Sequence, residues 1–384
     1  MDALGESLGR RARRLEARAL SVATGRVAEE FARRIAEQED ALLSPLATRS
    51  YPASRVHPEE DCGLRTPFQR DRDRIVHCKA FRRLKHKTQV FVAPQGDHYR
   101  TRLTHTLEVT TISRTVARAL ALNEDLVEAI GLGHDLGHPP FGHIGEEVLD
   151  RCLKARFGRD FRHNEHSLRV VEHLERDGAG LNLSDPVRDG IVGHSSRARV
   201  PATLEGRIVR VIDRVAYINH DIDDAIRAGL LREEELPAEP IAVLGRDGSA
   251  RIDALVHDMV EHSQLARDIV QGPDAGPAMT ALRDFMFERV YLGPAVRAEH
   301  AKIATVIERL FAHYVEHPEL LPALPRGGRS ASPNGAGGGD DEDALATRVT
   351  DYLAGMTDRF CIRRYLSLAG DASEDLGSFS ERIG

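Results

Sequence analysis

The sequence predicts an all-α protein, mainly helical, with one or two short β-hairpins as its only extended structure. Three observations lead there. Apolar residues recur at three- and four-residue spacing, the signature of one helix face, through most of the 384 residues. No segment alternates apolar and polar residues for long, as a half-buried strand would. Proline and glycine clusters punctuate the periodic stretches, and Pro139-Pro140 is the sharpest of these stops.

Residues 3–48 carry Leu, Ala and Val at helical spacing between Arg and Glu, which predicts one or two amphipathic helices. They form a first unit, residues 1–56, serving as a core helix pair or an oligomerisation arm. Pro52, Pro58, Gly63 and Pro67 make residues 49–66 a loop into the second unit, residues 57–230. There, Asp71 to Lys87 reads as one helix with Ile75, Phe81 and Leu84 inward. Gln89 to Val92 reads as a short extended stretch and Gly96-Asp97 as a turn. Helices follow at Thr104 to Ala121 and Asp125 to Leu132. Pro139-Pro140 ends the latter, because proline lacks an amide hydrogen and restricts the residue before it.

Gly145 to Phe157, Leu168 to Glu175 (opened by His163-Asn164-Glu165-His166-Ser167), Val187 to Val192 and the long Leu204 to Asp223 complete the second unit. In the third, residues 231–384, the prolines and glycines from Pro237 to Gly248 suggest a small hairpin over Ile241 to Ile252, turning at Arg246-Asp247-Gly248. Helices resume at Ala254 to Val270, Ala278 to Tyr291 and Ala298 to His317. Residues 322–343 are Pro-, Gly- and acid-rich, cannot bury apolar surface, and are expected to be mobile. A last helix, Leu345 to Leu366, docks back on the body.

Composition narrows the function. A net charge of −7 argues against a generally basic nucleic-acid-binding protein. Yet Cys62 to Arg102 holds eleven Lys/Arg against three Asp, a local excess that suits a polyanion. The four cysteines show no paired spacing and read as reduced thiols of a cytoplasmic protein. No run approaches the ~18 apolar residues of a membrane span, and the N-terminus has no apolar signal core.

The chemistry concentrates in Gly133-His134-Asp135-Leu136-Gly137-His138-Pro139-Pro140-Phe141-Gly142-His143-Ile144-Gly145-Glu146-Glu147. His134-Asp135 offers one neutral nitrogen and one anionic oxygen to a divalent cation. His105 upstream and Asp213 downstream are unexplained polar groups on apolar helices, and the four make a mixed N/O set suited to a Lewis-acid ion. By spacing alone, Asp221, Asp223 and Asp224 compete with Asp213. His143 and Glu146 lie three apart, on one helical face, where a carboxylate can fix the imidazole tautomer for acid–base work. His138 is a further candidate. Arg102 lies three before His105, Arg214 adjoins Asp213, and Asp221 lies four after Tyr217, so these side chains can face a phosphorylated substrate.

His105…His134-Asp135…Asp213 resembles the metal-binding signature of the HD phosphohydrolase superfamily. With His-Pro-Pro-Phe-Gly-His after the pair, and with the blocks Asp71-Arg72-Asp73-Arg74-Ile75, Ala80 to Val90 and Tyr99 to Thr106 before it, the chain resembles the dGTPase-like deoxynucleoside triphosphate triphosphohydrolases. That resemblance covers residues 50 to 225 most closely. It implies a helical HD-domain core and one divalent ion (Mg²⁺, Mn²⁺ or another transition metal) on His105, His134, Asp135 and Asp213. It also implies His143 and Glu146 as the catalytic pair, His163 as a further active-site histidine and Gln89 at the deoxyribose edge. Arg102, Arg214, Tyr217 and Asp221 are then phosphate and sugar contacts. The implied products are deoxynucleoside and inorganic triphosphate. A dNTP activator, single-stranded DNA and a hexameric homo-oligomer are partners the family suggests. Two other readings stand beside it: another HD-type nucleotide phosphohydrolase, and a nucleotide-responsive or single-stranded-DNA-binding regulator with secondary catalysis.

Overall fold

The turn from His134 to Phe141 joins two apolar cores. The structure, a computed structural model, describes residues 25–89, 100–323 and 338–369. In chain order its helices are α1 (25–42), α2 (Pro67–His77), α3 (Lys79–Arg83), α4 (Arg102–Ala119), α5 (Glu124–Gly133), α6 (Gly142–Phe157), α7 (His163–Arg169) and α8 (Asp185–Gly193). They continue with α9 (Leu204–Arg227), α10 (Ala238–Leu244), α11 (Gly248–Ala266), α12 (Ala275–Met286), α13 (Pro294–Glu316), α14 (Gly338–Ala354) and α15 (Asp358–Ala369). Among the described residues there is no strand, only two isolated bridges, Arg55 with Ser184 and Thr88 with Thr101. No described helix is long and apolar enough to cross a membrane. Cys62, Cys78, Cys152 and Cys361 are all unpaired.

α5 is the axis of the first core. Leu126, Val127, Ala129 and Ile130 are fully buried, because this helix is apolar on nearly every face and α2, α4, α8 and α9 surround it. Asn123 caps its start, accepting the Leu126 N–H at 3.2 Å. The same apolar cluster takes in α10 to α12, through Leu244, Leu255, Met259 and Leu282. A second cluster is built from α6, α13, α14 and α15, with Leu149, Ile303, Leu310, Val349 and Tyr365 inside. The turn from His134 to Phe141 passes between them: Leu136 belongs to the first and Phe141 to the second. Gly137 is obligatory in that turn, since a Cβ there would lie 2.1 Å from the Ser167 amide nitrogen.

Several elements differ from the sequence reading, each for a physical reason. Asp71 to Lys87 is not one helix. Cys78 is extended, and the Glu175 carboxylate caps the new start by accepting the Lys79 and Ala80 N–H groups at 3.0 and 2.7 Å. The hairpin over Ile241 to Ile252 is absent. Asp247 is instead an N-cap that accepts the Ala250 N–H at 2.9 Å, so Arg246-Asp247-Gly248 links α10 to α11. The last helix is two, α14 and α15. α7 begins at His163 and passes into a π turn at Val170–Leu174, and α9 runs on to Arg227. α14 starts at Gly338 and takes in the acidic run expected to be mobile, because carboxylates are favoured in a helix's first turn. Residues 324–337, part of the stretch for which mobility is the sequence expectation, lie outside the described residues, as do residues 3–24 and most of Gln89 to Asp97.

Candidate metal and catalytic centre

Helix ends, not helix middles, carry most of the site. Thr101 caps α4, which fixes Arg102 and His105 in its first turn. His134 and Asp135 follow the last turn of α5, and Asp213 projects from α9. Ligand atoms of His105, His134 and Asp213 all lie within 4.8 Å of one another. His105 Nε2 is 3.0 Å from Asp213 Oδ1, and His134 Nε2 is 3.9 Å from the same oxygen. Asp135 Oδ1 stands 3.8 Å from His134 Nε2, while its Oδ2 accepts from Arg102 Nη1 at 2.7 Å.

These residues fit a divalent cation. His134 Nδ1 donates to the Gly131 carbonyl at 2.7 Å, so in the neutral imidazole Nε2 carries the lone pair. That atom is buried with no hydrogen-bond partner. Leaving it so would cost desolvation with no return; a cation removes the cost. Burial alone would raise Asp135 and Asp213. The Arg102 guanidinium beside Asp135, and the His105 hydrogen bond to Asp213, outweigh it, and both carboxyls sit well below their usual range. Two imidazoles and two carboxylates are a donor set for a Lewis-acidic divalent metal. Behind it, His105 Nδ1 meets His220 Nε2 at 2.9 Å, and His220 Nδ1 lies 2.8 Å from Asp221 Oδ1. Such outer contacts orient ligands.

The acid–base candidates form a second cluster against the first. His143, on α6, has a side chain 63% exposed and places Nδ1 3.5 Å from Glu146 Oε2. Both Glu146 oxygens lie 2.9 Å from His163 Nδ1, and Oε1 also accepts the His163 backbone N–H. His138 stacks on His163 with ring centroids 4.0 Å apart. Burial would raise Glu146, but His163 and His143 hold it far below the carboxylate range, so it is an anion. Burial, Arg102 and His163 hold His138 well below 6.5, so it is neutral. His143 is the most exposed of this set.

The remaining candidates are placed as follows. Arg102 is buried on Asp135, its Nη2 is 3.5 Å from the Gln89 carbonyl, and its Nε has no partner. Gln89 is buried with Oε1 unpartnered. Arg214 is half-buried with Nε unpartnered. Tyr217 is half-buried, and burial with Asp213 pushes its hydroxyl up to about 12. Asp221 faces away from open solvent and accepts from the Tyr291 hydroxyl. The basic block is less available than its charge implies. Arg65 pairs with Asp73, Arg70 and Arg74 with Glu59, and Arg72 with Asp73 and Glu128, while Lys87 is buried.

His194 was not singled out from the sequence. Its Nδ1 donates to the Ile191 carbonyl at 2.7 Å, its Nε2 is 3.0 Å from His163 Nε2, and its ring sits edge-on to His134. The available signal was Gly193-His194 at a helix end, a repeat of Gly133-His134 with the same bond to the carbonyl three residues back. Burial, then His134 and His163, push His194 down to about 3. In metal-free protein this has a sign. Between about pH 6.5 and about 3 the unfolded chain binds a proton that folded His194 refuses, so stability falls as pH drops through that window. Urea unfolding of chelator-treated protein across that window should show the fall, and His194→Gln should flatten it; an unchanged slope would place the buried neutral imidazole elsewhere.

Known proteins resemble this chain along most of its length. Residues 102–218 match the HD domain family, and residues 269–367 match the phosphohydrolase-associated domain. The chain is 51% identical over 330 residues to a deoxyguanosinetriphosphate triphosphohydrolase-like protein of Caldanaerobacter subterraneus subsp. tengcongensis, covering 86% of this chain and 93% of that one. Proteins of the same description from Clostridium perfringens (46% identical; 81% of this chain, 89% of that one) and Cereibacter sphaeroides (36% identical; 86% of this chain, 100% of that one) are also similar. A crystal structure of a hypothetical protein from Aquifex aeolicus aligns with a TM-score of 0.45 at 21% identity, over 81% of this chain and 71% of that one. An HD-type nucleotide phosphohydrolase centre with His/Asp clusters able to bind metal is what these residues assemble.

Proposed function

The chain belongs to the deoxyguanosinetriphosphate triphosphohydrolase-like family, and on that premise we propose that it hydrolyses deoxynucleoside triphosphates, dGTP-like ones among them, to deoxynucleoside and inorganic triphosphate, and so controls dNTP pools. One observation carries the reading. The His105, His134, Asp135 and Asp213 set is linked through His138, 3.7 Å from Asp135, to an exposed imidazole, His143, whose Nδ1 is turned to an anionic Glu146. A divalent cation on that set would supply Lewis acidity toward a phosphoryl oxygen and toward water.

The chain's own groups do the rest. Cleavage at the α-phosphorus expels the 5′-oxygen, a poor leaving group that needs a proton. His143 is the group able to bring one, because its Nδ1 is taken by Glu146 and its Nε2 remains for substrate. Glu146 stays charged and stabilises the imidazolium form. His163 and His138 wall the site and exclude water. Arg102 and Arg214 bear donors without partners that suit phosphate oxygens. Gln89 and Tyr217 are the residues proposed to contact the sugar, and Asp221 backs the metal ligand His105 through His220. We further propose a cytoplasmic homo-oligomer of hexameric type, with dNTP activation and single-stranded DNA binding as properties to assay.

Incubating the protein with each of the four dNTPs and the matching rNTPs, with Mg²⁺ or Mn²⁺, tests this. The expected products are deoxynucleoside and intact triphosphate, with ¹⁸O from water in the triphosphate. Finding dNMP with pyrophosphate would mean that pyrophosphate, and not the 5′-oxygen, is the leaving group. The dNTPs should be cleaved far faster than rNTPs, since a wall on the deoxyribose edge rejects a 2′-hydroxyl by clash and by stranding it. Equal rates on GTP and dGTP would remove Gln89 from that role.

A further inference from the structure

The turn from Asp135 to Gly142 carries Asp135 and His138 and delivers the chain to His143. Its backbone is not relaxed. Phe141 is buried with φ 63° and ψ 23°, in the left-handed region that a Cβ disfavours. Such a conformation persists only where neighbours over-determine it. Here the neighbours belong to the C-terminal helices, more than two hundred residues away.

Three contacts reach the turn. Asp358, the first residue of α15, is buried and accepts the Phe141 N–H on Oδ1 at 2.9 Å and the Thr88 N–H on Oδ2 at 2.8 Å. Lys87 is buried and its Nζ donates both to the His138 carbonyl and, at 2.8 Å, to the carbonyl of Ala354, the last residue of α14. Asp351 of α14 holds Arg169 through two bonds of 2.7 Å and lies 3.4 Å from His166 Nε2, while His166 Nδ1 donates to the Gly137 carbonyl at 2.9 Å. These contacts also account for the break between α14 and α15, which frees the Ala354 carbonyl for Lys87 and turns Asp358 toward the site.

We propose that Asp358, supported by Lys87 and Asp351, is a positioning residue of the catalytic centre: the C-terminal helix pair sets the conformation of the turn that aims His138 and His143. One carboxylate ties the turn to Thr88, the neighbour of Gln89, whose carbonyl receives Arg102. Both walls of the substrate site are therefore held by one buried side chain. The chemistry requires a carboxylate. Two N–H donors converge on it, and an amide of the same shape accepts only one of them and sets its own NH₂ against the other.

The turnover readout rests on the proposed dNTP hydrolysis; the exchange readout does not. With full-length, metal-loaded protein, Asp358→Asn should speed amide exchange across residues 136–146 and lower kcat by about 10²-fold, the scale of a misplacement near 1 Å. Metal content and KM should stay near wild type. Lys87→Met and Asp351→Asn should act in the same direction, and they carry the test if Asp358→Asn does not fold. Arg156→Ala, which breaks the exposed Arg156–Glu342 pair between α6 and α14, should leave both readouts unchanged. Wild-type exchange and kcat in Asp358→Asn would overturn the proposal, and so would a kcat loss matched by metal loss and faster exchange throughout the chain. A wild type that cleaves no dNTP would defeat the proposed reaction, yet local exchange in the turn would still decide this inference.

Discussion

Replacing His143 with alanine is expected to lower kcat by about 10²–10⁴-fold, the range lost with a principal proton-transfer group, while metal content and nucleotide binding persist. The separation is structural. His143 is the exposed member of its cluster, makes no contact with the His105, His134 and Asp213 group at ligand distance, and supports no core packing. Glu146→Gln keeps the shape but removes the charge facing both His143 and His163. It should cost less in kcat, because Glu146 orients and stabilises without transferring the proton. Single-turnover assays with equilibrium dGTP binding decide the matter. Normal turnover in His143→Ala would move the role to His138 or His163, both buried.

His134→Ala and Asp135→Ala should each remove the metal and abolish turnover, yet differ sharply in stability. The structure separates them, since Asp135 Oδ2 is the carboxylate partner of Arg102, a guanidinium almost wholly buried. Asp135→Ala leaves that charge unpaired, at a cost of about 3–5 kcal/mol. His134→Ala loses one hydrogen bond to the Gly131 carbonyl, worth about 1 kcal/mol. Asp135→Asn keeps an acceptor for Arg102 and should fall between them. Chelator-treated proteins are the right comparison, because bound metal adds its own stabilisation. Elemental analysis showing full occupancy in both alanine variants would sink the four-ligand set. Equal urea midpoints would mean that Arg102 finds another partner.

The sequence by itself determined what depends on neighbours a few residues apart. Apolar spacing placed most helices, α5 up to the His134-Asp135 pair among them, and three-residue spacing put His143 beside Glu146 on α6. Adjacency alone put His134 with Asp135. Tertiary structure decided everything that depends on which surfaces meet. On α9, Asp213 and Asp221 are equivalent by spacing; only packing turns the first toward His105 and the second toward His220 and Tyr291. His194 joins the site because α8 packs against α5 and α7. The helix from Asp71 breaks at Cys78 because Glu175 arrives from elsewhere in the chain, and α14 ends at Ala354 where Lys87 takes its carbonyl. Arg70, Arg72 and Arg74 of the basic block look free in the sequence and are paired in the fold, since Glu59 and Glu128 lie on other segments. Helical periodicity is a property of one segment, whereas a buried charge is stable only beside its counterpart, and that counterpart is brought near by the packing of two cores.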